Sequence, residues 1–260
     1  MCVLVRGVGD IGSAVAHRLF AAGCEVIIHD DPQPATTRRG MAFADAIFDG
    51  HAVLADVRAI RVDDLASLPK ALADRTAVAV VVGNFFPLVR ASAPDALVDA
   101  RMRKRNRPEV QRGLAPLTIG LGPNFVAGET TDLVVERSWE QLGRVLTRGA
   151  SLPLRGEPRA IAGHARDRYV YAPITGTFQT TRRIGDRVAG GEVVARIDTV
   201  PLSAPLDGVL RGLTRDGVPV SASTKVVEVD PRGDPDLVRG IGERPARIAE
   251  SVARALARER

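Results

Sequence analysis

The sequence predicts the α/β class: a Rossmann-like, mostly parallel sheet, then a small all-β domain and a C-terminal helix. Three observations predict it. Cys2–Val5 is a short apolar run leading through Gly7-Val-Gly9-Asp-Ile-Gly12 into an amphipathic stretch, the order strand, glycine turn, helix. Across residues 1–149, further unbroken apolar runs alternate with helical patterns, as strands covered on both faces do. Beyond residue 168 that alternation stops, and short strands punctuated by Gly and Pro begin.

The elements follow in order. Ala14, Val15, Leu19 and Ala22 fall at helical spacing across Ile11–Ala22, and Gly23 stands where a helix commonly ends. "CEVIIHD" reads as a second buried strand, with more at Ala77–Val82, Ala96–Asp99, Leu117–Leu121 and Leu133–Glu136. A helix is expected over Asp63–Ala73, with Asp63 and Asp64 at its positive end. Residues 150–168, rich in Gly, Pro and charge, read as a linker between the α/β domain (1–149) and the β domain (169–233). In the last segment (234–260), Ile248, Val252 and Leu256 share one face of a terminal helix.

Composition excludes several function classes. The longest dense apolar run, Ala77–Val82, is far below the ~20 residues of a membrane span, and no leader precedes the first strand, so a cytoplasmic protein with no membrane partner is expected. The net charge of +5 comes mostly from scattered Arg; aromatics are scarce and no nucleic-acid motif is present, so no nucleic-acid partner is expected. Cys2 and Cys24 open neighbouring strand patterns and read as buried reduced thiols, or less simply as a redox pair. The 4 histidines show no metal-ligand spacing, and no nucleophile elbow or Tyr–Lys pair is visible. No metal site is expected, and the catalytic residues, if any, stay unassigned.

The chemistry concentrates in glycine turns. Gly7 allows a tight turn, Gly9 a close approach of a phosphate to the backbone, and Gly12 close packing of helix on strand. Asp30 ends the second strand at the distance where an acid reaches a ribose hydroxyl, which with Asp31 favours NAD, while Arg38 and Arg39 offset that preference. Asp10 offers the opposite reading, since its carboxylate can occupy the helix end a phosphate would take. A second turn, Gly120-Leu-Gly122, and the basic phrase holding Arg101 and Lys104 follow other strands and can border the same crevice, where a phosphorylated small-molecule ligand would bind.

The β region contains a repeat. Pro173/Pro205, Gly176/Gly208, Gly185/Gly217, Val188/Val220 and Asp198/Asp230 keep one offset of 32 without a gap. Two units too small to bury their own faces would close on one another. The repeat resembles a biotinyl/lipoyl-like hammerhead. Its junction, "IDTVPLSAPLDG", lacks the carrier lysine, so a docking module is expected rather than a swinging arm.

Taken together, "VLVRGVGDIGSAVAHRLFAAG", "VDARMRKRN", "APLTIGLGPNFVAGE", the "AP…G" repeat and the terminal helix resemble the YqeB-type accessory proteins of the selenium-dependent molybdenum hydroxylase system. The resemblance implies a factor that serves a molybdenum hydroxylase or its maturation machinery. Such a factor would hold an anionic, molybdopterin-type cofactor near Gly7, Gly9, Arg101, Lys104, Gly120 and Gly122, and a partner on the β domain. The alternative is an NAD-dependent oxidoreductase.

Overall fold

The computed structural model describes residues 1–103, 108–153 and 158–259. The chain divides into two compact units: Met1–Pro32, Ala42–Leu154 and Ile241–Arg260 form unit 1, and Gln33–Met41 with Arg155–Gly240 form unit 2.

Unit 1 contains β1 (Cys2–Arg6), α1 (Asp10–Ala21), β2 (Glu25–Asp30), α2 (Asp45–Asp49), β3 (His51–Leu54), β4 (Val57–Arg61), α3 (Leu68–Ala73), β5 (Val78–Val82), α4 (Phe85–Ser92), β6 (Ala96–Asp99), β7 (Leu117–Leu121), β8 (Val126–Ala127), β9 (Leu133–Val135), β10 (Val145–Leu146) and β11 (Gly149–Ala150). A 9-stranded sheet runs β10-β9-β7-β6-β1-β2-β5-β4-β3. The strands from β9 to β4 are parallel, and β10 and β3 pair antiparallel at the two edges. The sheet's central strands are apolar on both faces because helices cover both. On one side α1 and the terminal helix pack over Val3, Val5, Val26 and Ile28; on the other, Leu68 of α3 and Leu88 of α4 meet Leu4 and Ile27. The terminal helix, α5 (Glu243–Arg258), buries Ile248, Ala249, Val252, Ala255 and Leu256 in the first of these cores. An ion pair at 2.8 Å joins Arg18 of α1 to Glu250 of α5.

Unit 2 is built from β12 (Tyr169–Tyr171), β13 (Gly176–Gln179), β14 (Arg187–Val188), β15 (Val193–Ile197), β16 (Val200–Ser203), β17 (Gly208–Leu213), β18 (Pro219–Val220) and β19 (Lys225–Asp230). They form two antiparallel sheets of 4 strands, β12-β19-β17-β14 and β16-β15-β13-β18. The repeat offset carries β12–β15 onto β16–β19, and the same shift turns one sheet into the other. Each repeat sends its first and third strands into the sheet of its sister. The shared Gly and Asp positions have a steric cause. A Cβ on Gly176 would strike the Asp198 carboxylate, and one on Gly208 would strike the Asp230 backbone.

The expected series of a Rossmann-like domain, a biotinyl/lipoyl-like hammerhead and a separate terminal helix is therefore corrected. The large sheet is mixed: a tight hairpin between β3 and β4 returns the chain at once and makes that edge antiparallel, which a glycine turn at β1 does not specify. The β unit does not simply follow the α/β unit, because it includes residues 33–41, where Leu213 N–H donates to the Thr37 carbonyl at 2.8 Å. The terminal helix belongs to the core of unit 1. Strand β11 (Gly149–Ala150), which pairs with β8, runs across the expected boundary into the first residue of the linker.

Candidate functional site

At the carboxyl end of β1 the three glycines do different things. Gly7 takes φ +107°, and a Cβ there would lie 2.9 Å from the Ala100 and Arg101 backbones, so fold and turn both demand glycine. A Cβ on Gly12 would run into the Gly7 carbonyl. Ser13 straps the turn, its hydroxyl donating to Val8 O at 2.8 Å and accepting from Phe43 N–H at 2.9 Å. Gly9 is under no such demand. As the N-cap of α1 it sits at φ −63°, ψ 178°, open to any residue, and a Cβ there meets nothing within 4 Å. Asp10 begins α1, its carboxylate 3.1 Å from Ile11 N–H.

Asp30 is turned inward. Its carboxylate accepts from Val8 N–H at 2.6 Å and Asp31 N–H at 2.8 Å, and burial pushes its pKa up. Oδ2 thus braces the glycine turn and Oδ1 takes the next amide, a structural role that the expected ribose contact did not include.

Sequence reasoning missed the polar row beside it. Asp99, Arg6 and His29 are register partners on β6, β1 and β2, so their side chains share one face of the sheet. Arg6 lies 3.6 Å from the centre of the Phe85 ring and donates to Glu109 at 2.8 Å and Gln111 at 3.3 Å. Gln111 in turn donates to Asp99 at 2.6 Å. Arg101 grips both Asp99 oxygens and reaches Glu109 at 2.7 Å; Arg103 also pairs with Glu109. Burial alone would push the Glu109 carboxyl up, but hydrogen bonds from Arg103, Arg101 and Arg6 together hold it far below its ordinary range. His29 Nε2 sits 2.9 Å from the Gly83 carbonyl, so that nitrogen carries the hydrogen and Nδ1 is an acceptor. Burial pushes the His29 pKa down from 6.5, keeping the ring neutral. His29 Nδ1 and Arg6 Nε are both buried without a hydrogen-bond partner. The sequence signal is thin: each of these strands changes from apolar to polar at its last residues.

The structure brings Gly7, Gly9, Asp10, Asp30, Arg101 and Gly122 to one end of the sheet, where a Cβ on Gly122 would touch the Met102 sulfur at 3.3 Å. Gly120 lies within β7 against the Phe125 ring and faces packing instead. Lys104 lies outside the described residues, and Arg101 is held by two carboxylates rather than open to a ligand. Arg137, just past β9, is buried with Nε and Nη2 unpartnered. Among the described residues no group of three or more His, Cys, Asp or Glu could hold a metal ion. Neither cysteine forms a disulfide, and burial pushes the Cys2 thiol up to about 11, which keeps it a thiol at neutral pH. No described helix is long and apolar enough to cross a membrane.

No protein-family model matches the chain. The uncharacterized protein YqeB of Escherichia coli (strain K12) is 35% identical over 257 residues, 98% of this chain. Over nearly its whole length the chain is similar to YqeB. It spans about half, 47%, of YqeB's length, so the relationship supports the YqeB part of the resemblance and leaves the hydroxylase role without support. Similar solved structures bear other names. A succinylglutamate desuccinylase/aspartoacylase from Rhodobacter sphaeroides is 16% identical, covering 56% of this chain and 59% of its own, at TM-score 0.22. An aspartoacylase family protein from Mesorhizobium loti and the ectoine utilization protein EutE from Ruegeria pomeroyi are each 13% identical over 88% of this chain and 84% of theirs, at TM-score 0.26. These three are named for desuccinylase, aspartoacylase and ectoine-utilization proteins, not for a molybdenum-hydroxylase factor, a nicotinamide enzyme, a Rossmann domain or a lipoyl carrier. With that finding and the inward Asp30, the hydroxylase-factor and NAD-oxidoreductase expectations are set aside, together with the molybdopterin and dinucleotide ligands they called for. TM-scores this low carry no desuccinylase activity to this chain either.

Proposed function

We propose that unit 1 is a binding module for a small, hydroxylated, phosphate-bearing molecule taken up at the carboxyl end of its sheet. The observation that carries the reading is Gly9, a glycine that neither backbone conformation nor packing requires, at the first turn of a 12-residue helix. A bare Cα there lets a phosphate approach helix amides that favour anions. Asp30 turns its carboxylate toward the Val8 and Asp31 amides, which offset part of its charge. Arg6 Nε–H and His29 Nδ1 supply a buried donor and acceptor, the pair that one hydroxyl group satisfies at once. The reading is one of binding and asks for no bond to be broken.

Gly9→Ser tests it. Serine is a better N-cap than glycine and fits the backbone, so the variant should be as stable as wild type or gain about 0.5 kcal/mol in urea unfolding. Its hydroxymethyl group would fill the approach. Calorimetric titration with glycerol 3-phosphate should give saturable heat with wild type and at least about tenfold weaker binding with Gly9→Ser. Equal affinity in both proteins, or no heat from wild type, would remove the reading.

A further inference from the structure

In unit 1, away from the carboxyl end of the sheet, α1 and α5 leave a groove between them. Its volume is about 370 Å³. Ala14 of α1, Ala246 and Ala249 of α5, and Ile241 line its apolar part. Small-molecule pockets span roughly 300–1,000 Å³ and are mostly apolar with a few placed polar groups, so both size and lining suit a small ligand. The charged groups on the rim come in pairs. Arg18 meets Glu250 at 2.8 Å, and Arg247 faces Glu243, one helical turn earlier, at 3.9 Å. These four side chains are between 41% and 61% exposed, so water serves them and no charge on a ligand is needed to balance them.

His17, which also lines the groove, is different: its side chain is only 16% exposed. Its Nε2 lies 2.9 Å from a carboxylate oxygen of Asp56, in the turn between β3 and β4. That bond holds the Asp56 carboxyl below its ordinary range. An ionised carboxylate only accepts, so Nε2 carries the hydrogen, and Nδ1 of the neutral ring is left as an acceptor. Nδ1 has no hydrogen-bond partner among the described residues, yet it is not sealed inside the protein as Nδ1 of His29 is. An apolar floor, balanced charges and one oriented acceptor therefore meet in a single cavity.

We infer that this groove binds a compact, uncharged, apolar molecule that donates one N–H or O–H hydrogen bond to His17 Nδ1. The inference is independent of the site proposed at the carboxyl end of the sheet, because Gly9, Arg6 and His29 do not line the groove. The chain has 4 histidines, and His29 belongs to that other site, so ring-nitrogen signals report on the two places separately. The experiment labels the full chain with ¹⁵N-histidine and follows it by NMR during titration with indole, then with benzofuran, which has the same shape without the N–H. With indole, the His17 Nδ1 signal, identified by its absence from His17→Gln, should shift and saturate while His29 stays in place. Benzofuran should bind at least about tenfold more weakly, the loss of one hydrogen bond. Ala246→Leu fills the groove from an exposed position of α5 where leucine is a good helix former, and should weaken indole by at least about tenfold. The proposal is overturned if indole leaves the His17 signal unmoved, if benzofuran titrates at the same midpoint, or if a folded Ala246→Leu variant titrates like wild type. The wild-type arms decide even if that variant does not fold.

Discussion

Glu228 is a single side chain on which four others depend. Burial opposes its charge, yet Arg38 and Lys225, with Arg168 and Arg211 behind them, hold its pKa well below 4.5. A carboxylate lowered on folding stabilises above its ordinary range, and that contribution is lost as pH falls through the folded value. Glu228→Gln removes it at every pH and strands buried cations. It should cost about 3–5 kcal/mol in urea unfolding at pH 7 and flatten the acid limb of the stability profile. An unchanged midpoint would mean that solvent already screens the cluster. Individual residues were the least legible scale in the sequence. Asp30 ends the second strand at a distance from Gly7 that suits a ribose contact, yet its carboxylate accepts from the Val8 amide at 2.6 Å. His29 carries no local signal for its place, and only its register with Arg6 sets it in a polar row.

At the scale of elements, the start of the chain is the most tightly determined part. Gly12→Ala places a methyl group against the Gly7 carbonyl, with the Ala100 Cβ 3.3 Å away and nowhere to yield. It should cost about 2–3 kcal/mol in thermal or urea unfolding, in contrast to the neutral Gly9→Ser. Equal stability of the two variants would show that the turn relaxes freely. Most strands were legible because unbroken β-branched runs of this length have few other solutions. The expected helix over Asp63–Ala73 is shorter, starting at Leu68 after a 3₁₀ turn at Leu65–Ser67 that Asp64 caps through Ala66 N–H at 2.9 Å. Helix α4 and the β3–β4 hairpin went unread. "FFPLVRAS" is only 8 residues with an early proline, and "HAVLADVRAIR" mixes apolar and charged residues without a strong turn dipeptide, so neither carries much local signal.

For the whole chain, the exchange of strands in unit 2 has a consequence for folding. Each repeat contributes two strands to either sheet, so neither can satisfy its edges alone. A fragment of residues 169–199 and one of residues 200–230 should each be unfolded by NMR, and mixing them should restore dispersed signals. A repeat that folds alone would show that the exchange is incidental. The repeat itself was legible, since glycines and aspartates at a fixed offset mark close approaches that recur in both halves. Strand–turn–helix order, the repeat and the apolar face of the last helix could all be read from the chain, because each depends on neighbours a few residues apart or on identity at a constant spacing. The mixed edges of the large sheet, the inward turn of Asp30, the row of Asp99, Arg6 and His29, and the gathering of Arg38 and Arg168 on Glu228 could not. The last three join residues tens to nearly two hundred positions apart, through strand pairings that local pattern does not encode, while the antiparallel edges come from short returns without a strong turn signal.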